Sequence, residues 1–108
     1  MSEERDLEKI KKLLAKGKTE KLEKYLNDKN IEVVKAAIAA LGESKDEAST
    51  NLLSKLIDHQ DPEIKKAAIV AFGKSGSEYS RTLIQHLVAT EKDEQVKEVA
   101  MKVLNGYK

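Results

Sequence analysis

Hydrophobic and polar positions in this chain follow one pattern that is written three times. From Asp61 to Gly73, the apolar residues Ile64, Ala67, Ala68, Ile69, Ala71 and Phe72 recur at helical spacing between a polar start and a glycine. The stretch Asn30–Gly42, 31 positions earlier, and the stretch Asp93–Asn105, 32 positions later, carry the same arrangement. Leu52, Leu53, Leu56 and Ile57 mark a second apolar face, repeated 31 residues on as Leu83, Ile84, Leu87 and Val88. Leu22, Tyr25 and Leu26 precede that face by the same interval. Self-similarity at about 20–50 residues is the mark of stacked supersecondary units that share a continuous core.

Local signals divide the pattern into helices. Leu7, Ile10, Leu13 and Leu14 define a first helix, with Met1 to Arg5 frayed, Asp6 as its N-cap and Gly17 as its stop. Thr19 is predicted to cap a short second helix, and Asn30 to start a third that ends with Gly42 in the left-handed C′ conformation. Ser44 with Glu47, and Ser75 with Glu78 31 residues later, read as capping boxes for the fourth and sixth helices. Asp61 caps the fifth, where the only proline, Pro62, takes the first helical position and its missing N–H costs nothing. The seventh helix runs from Asp93 to about Asn105. Strand-like alternation is absent, so the prediction is an all-α chain of about seven helices, three pairs and an unpaired last one. It forms one domain, 1–108, with repeats at about 6–29, 30–60 and 61–92 and a terminal helix at 93–105.

Composition narrows the function. Lys and Arg number 20 against 19 Asp and Glu, so a net charge of +1 supplies no general attraction to nucleic acid or to an anionic membrane. The absence of Cys excludes disulfides, thiolate metal sites and cysteine catalysis. A polar N-terminus without a signal-like apolar segment, and no apolar run of membrane-spanning length, lead to the expectation of a soluble cytoplasmic protein. The aromatic residues are Tyr25, Phe72, Tyr79 and Tyr107, which leaves a core of Leu, Ile, Val and Ala suited to closely packed helices.

An Asp-Pro-x-hydrophobic-Lys start continuing as Ala-Ala-hydrophobic-x-x-hydrophobic-Gly, then a turn and a helix with paired leucines, resembles the HEAT repeats. It looks like the short class found in phycobilisome-lyase-type proteins. Asp61, Pro62, Ile64, Lys65, Ala67, Ala68, Ile69, Phe72 and Gly73 carry the resemblance, which covers about Thr19 to Asn105. It implies a right-handed α-α superhelix, a short solenoid whose second helices line a concave face used for binding rather than catalysis. It also implies a ladder of charge pairs between repeats: Asp61 with Lys65 and Asp93 with Lys97 match, whereas Asn30 and Val34 depart from it. A role beside tetrapyrrole attachment is a further implication of the resemblance alone.

Ala36, Ala37, Ala67 and Ala68 take matching positions, where small side chains let helix axes approach closely. In the last helix Val99, Met101 and Val103 bring larger side chains, predicted to fill the end of the core, with Lys97, Glu98 and Lys102 as a polar cap. The alternative is an apolar strip, with Tyr107, through which an otherwise monomeric chain meets another copy or a partner.

No constellation for catalysis emerges. His59 and His86 lack a ligand-like spacing to each other or to carboxylates, so no metal and no cofactor is expected. Gly73 to Ser77 lacks the Gly-x-x-x-x-Gly-Lys pattern and preceding strand of a phosphate loop and reads as a turn. The serines are explained by caps and exposed helical positions. Candidate partner-binding residues come instead from the second helices, where the 31-residue interval aligns Lys24, Lys55 and His86 in one row. Beside it lie Glu23, Ser54 and Gln85, then Glu20, Asn51 and Thr82, and a row of Asn27, Asp58 and Ala89. The expected function is a non-catalytic protein-interaction module or scaffold. The alternative is weak, sequence-independent binding of a nucleic-acid backbone through Lys21, Lys24, Lys55 and Arg81, interrupted by Glu20, Glu23 and Asp58. The lysine-rich segment from Lys9 to Lys24 is interleaved with Glu4, Asp6, Glu8, Glu20 and Glu23 and reads as a solvated face.

Overall fold

The computed structural model describes residues 2–107; Met1, the first residue of the expected frayed end, and Lys108 lie outside it. The elements are α1 (Ser2–Ala15), a 3-10 helix (Thr19–Asn27), α2 (Ile31–Ser44), α3 (Glu47–Leu56), α4 (Pro62–Gly73), α5 (Glu78–Thr90) and α6 (Glu94–Asn105). Among the described residues there is no strand. α1, α2, α4 and α6 lie side by side in one layer. The 3-10 helix, α3 and α5 form the other, each wedged between its own first-layer helix and the next. This is the all-α, solenoid-like architecture that the repeat predicts, and Leu22, Ile38, Leu41, Ile69, Phe72 and Ile84 form its fully buried spine.

Several helix ends differ from the sequence expectation, because a partner across a turn or in a neighbouring repeat engages the residue concerned. α1 starts at Ser2, not at Asp6, and Glu3 Oε1 accepts a hydrogen bond of 2.7 Å from Asn30 Nδ2, fixing the extra turn against the start of α2. Gly17 does end α1, at φ 70°, with the Lys18 and Gly17 amides donating to Leu13 O and Leu14 O at 2.9 and 3.0 Å. Thr19 is not an N-cap. It is buried, and its Oγ1 donates to Asp46 Oδ2 at 2.5 Å. The cause is the winding: at three residues per turn, Thr19, Leu22 and Tyr25 fall in one row, and all three are buried.

Neither Gly42 nor Gly73 is left-handed; after α2 and α4 that conformation is taken by Lys45 and Gly76, at φ 58° and 63°. The two glycines serve interhelical contact instead. A Cβ on Gly42 would lie 2.8 Å from Ala71 Cβ, and one on Gly73 would overlap Val103 Cγ1. The expected capping boxes are also replaced. Asp46 and Ser77 are the N-caps of α3 and α5, accepting from the Ser49 and Ser80 amides at 2.7 and 3.1 Å. Ser44 and Ser75 instead bond the buried hydroxyls of Ser49 and Ser80, at 2.7 and 3.0 Å. Burying a hydroxyl is costly without such a partner, so the 31-residue serine pairing belongs to the core rather than to the cap.

The starts of α2, α4 and α6 follow the sequence. Asn30, Asp61 and Asp93 cap them by accepting from the amides of Glu32, Glu63 and Gln95. The amides of these three caps are held in turn by Asp28, His59 and Glu91, each two residues earlier. Capping occupies the aspartates, and the implied ladder of Asp61 with Lys65 and Asp93 with Lys97 is not formed among the described residues. Lys65 pairs with Glu91 at the end of α5. That lysine and the Asp93 amide hold the Glu91 carboxyl below its ordinary value.

Candidate functional site

A hollow of about 340 Å³ lies across α2, α4 and α6 of the first layer. Its floor is apolar: Ala39 from α2, Ala67, Val70 and Ala71 from α4, and Val99 from α6. Val70 is 45% exposed, one of few large apolar side chains left in solvent. The reason lies in helix geometry. Ala68, Ile69, Ala71 and Phe72 turn into the core, so the position between them faces away from it. Lys35, Lys66 and Lys74 stand at the rim, with Glu63 among them.

The rim charges are paired. Glu63 meets Lys66 at 2.7 Å and Lys35 at 3.3 Å, and Lys74 reaches Glu43 at 2.7 Å. Hydrogen bonding to Lys66 and then Lys35 holds the Glu63 carboxyl below its ordinary value, and Lys74 does the same for Glu43. Both carboxylates are exposed to solvent, which screens these pairs, so they exchange readily for an incoming charge.

The residues aligned along the second helices are surface positions. Glu20, Glu23, Lys24, Asn51, Lys55, Asp58, Thr82, Gln85 and His86 are exposed, and Ser54 is half-buried, its hydroxyl donating to Asn51 O at 2.7 Å. Glu20, Glu23 and Lys24 line a depression confined to the 3-10 helix, and Asp58 lines another beside the end of α5. α3 and α5 are held apart by α4, which enters between them. Arg81, placed with the lysines for backbone binding, has its Nη1 3.8 Å from Glu78. The first-layer hollow was missed because its floor residues read as helix-packing alanines. The exposed valine at position 70, where its counterpart 31 residues earlier is Ala39, is the signal that could have found it.

Tyr107 and the end of α6 are used internally. The Tyr107 hydroxyl lies 2.6 Å from Ser80 Oγ, Val103 sits over Gly73, and of the expected strip only Met101 is largely exposed, at 46%. His59 accepts from the Asp61 amide through Nδ1 at 2.9 Å. Among the described residues no three His, Asp or Glu side chains converge as metal ligands, and no helix is long and apolar enough to cross a membrane.

Comparison with curated proteins and with solved structures gives no match. A family model described as HEAT repeats matches residues 19–105, the stretch from the 3-10 helix to the end of α6. With its helix pairs stacked in two layers and most of its length matched, the chain belongs to the HEAT repeat family.

Proposed function

We propose that this protein is a non-catalytic docking module whose working surface is the hollow across α2, α4 and α6. HEAT repeats commonly serve as protein-interaction scaffolds. The observation that carries the reading is Val70, an exposed apolar side chain on a floor it shares with Val99 and three alanines, ringed by exchangeable ion pairs. Such a surface suits a protein segment that inserts one apolar side chain over Val70 and meets Lys66 and Lys74 with carboxylates. The apolar anchor supplies affinity through burial, and the charges supply register.

Affinity capture separates this surface from the second-helix rows. Wild type, Val70→Asp and a Glu23→Ala, Lys24→Ala, Lys55→Ala, Gln85→Ala variant are compared, all altered at exposed positions. Loss of the captured partners with Val70→Asp alone supports the hollow. Loss with the quadruple variant alone moves the site to the second helices.

A further inference from the structure

Six lysines converge at the N-terminal end of the molecule, far from the hollow in sequence and formed by different elements. Lys9, Lys12 and Lys16 of α1 and Lys18, Lys21 and Lys24 at the 3-10 helix line a trough of about 350 Å³. Leu13 and Tyr25 form its floor, and no carboxylate lines it. None of the six lysines makes an ion pair among the described residues. All six are exposed.

The unusual winding of the second element creates this segregation. In a 3-10 helix positions three apart eclipse one another. The segment therefore presents three rows: Thr19, Leu22 and Tyr25 buried; Lys21 and Lys24, preceded by Lys18 at the N-cap, on the trough; and Glu20 and Glu23 on the remaining side, where they share a depression with Lys21 and Lys24. An α-helix would rotate successive members of each row by about 60° and mix the signs. On α1, Lys9, Lys12 and Lys16 follow the ordinary three- and four-residue spacing of one helical face. Two rows of three ammonium groups, each about 10–12 Å long, thus face a common space.

We propose that this trough binds a condensed phosphate chain, the linear run of phosphates found in inorganic polyphosphate or at the end of a nucleoside triphosphate. Ammonium groups are compact point charges on flexible stems, matched to a run of closely spaced anionic oxygens rather than to one planar carboxylate. The trough is long enough for a short run of phosphates, each joined to the next through one bridging oxygen. Tyr25 is only 6% exposed and its ring is shared with the Lys24 ammonium, 5.2 Å from the centroid. It offers no free face for the base stacking on which single-stranded nucleic-acid binding relies.

Calorimetric titration of the full chain at about 50 mM salt tests this, the low salt limiting screening. The probes are sodium tripolyphosphate, orthophosphate, ATP, a hexaglutamate peptide and a single-stranded oligonucleotide. Tripolyphosphate is expected to bind with one-to-one stoichiometry and orthophosphate far more weakly. A Lys12→Gln, Lys21→Gln variant is expected to bind about tenfold more weakly, as two of the six charges are lost. A Lys11→Gln, Lys55→Gln control, altered outside the trough, should bind as wild type does. If the first variant melts early, Lys9→Gln, Lys24→Gln replaces it. ATP binding as tightly as tripolyphosphate identifies the nucleotide as an acceptable source; ATP binding much more weakly identifies free polyphosphate. Hexaglutamate or the oligonucleotide binding as tightly as tripolyphosphate overturns the proposal, as does an unchanged affinity in both trough variants.

Discussion

Gly42 of α2 lies so close to Ala71 of α4 that a Cβ added to it would stand 2.8 Å from the Ala71 Cβ and 2.9 Å from its Cα. The second of these atoms is backbone and cannot rotate away. Replacing a glycine by alanine within a helix ordinarily gains about 1 kcal/mol. Here Gly42→Ala is expected to cost about 1–3 kcal/mol through forced separation of the two helices. Urea denaturation reads the sign directly, and a stabilised variant would contradict the contact.

Gly73 offers a comparison. Its added Cβ meets a Val103 methyl group rather than backbone. Gly73→Ala is therefore expected to cost less than Gly42→Ala, and adding Val103→Ala to it should recover part of the loss despite the methyl groups removed. Thermal melting of the two single variants and the double variant gives the coupling.

Lys45 adopts the left-handed conformation at the place where the next repeat has Gly76. For a residue with a Cβ that conformation costs about 1–2 kcal/mol. Lys45→Gly is expected to stabilise the protein by about 0.5–1 kcal/mol, the entropy of a freer unfolded chain offsetting the rest. The midpoint of urea denaturation should rise with an unchanged slope.

Asp46 accepts from Thr19 Oγ1 and from the Ser49 amide, at 2.5 and 2.7 Å. The Thr19 hydroxyl leads in lowering its carboxyl from 3.8 to about 2, followed by the bonds to Ser49 and Ser44. A carboxyl depressed on folding stabilises the native state above its unfolded pKa and loses that contribution as pH falls from about 4 toward 2. Asp46 is largely exposed, so screening reduces the contribution to about 1 kcal/mol. Asp46→Asn keeps a capping side chain and removes the charge. It is expected to be less stable than wild type at pH 7, with the difference closing by about pH 2. A difference that persists at pH 2 would point to lost capping instead.

The Tyr107 hydroxyl ties the chain's end to Ser80, which is fully buried. Tyr107→Phe is expected to cost about 0.5–1.5 kcal/mol, because Ser80 keeps its bonds to Ser75 and to Ser77 O. Amide hydrogen exchange should show faster opening at the end of α6 while α2 is unaffected.

Much of the fold was legible as local periodicity. The 31-residue interval, the apolar spacing and the caps at Asn30, Asp61 and Asp93 depend on a turn or two of chain, and they led to helix pairs stacked into a solenoid. Gly42, Ser44, Ser75 and Thr19 were misread for one shared reason. Each looks like helix punctuation in its local context, whereas its actual partner is Ala71, Ser49, Ser80 or Asp46 across a turn or a repeat. A repeat interval identifies equivalent positions without saying whether they converge: Glu20, Glu23 and Lys24 line a depression on the 3-10 helix, and Asp58 lines another beside the end of α5.

The chain by itself determined the helices, their pairing and their order, because burial of a helical face needs only the right residues at the right spacing. Tertiary structure decided where a hollow opens around Val70. It also decided the winding of Thr19–Asn27, which packing against α2 and α3 holds in three-residue turns. That winding turned an interleaved run of lysines and glutamates into a basic trough on one side and a mixed surface on the other.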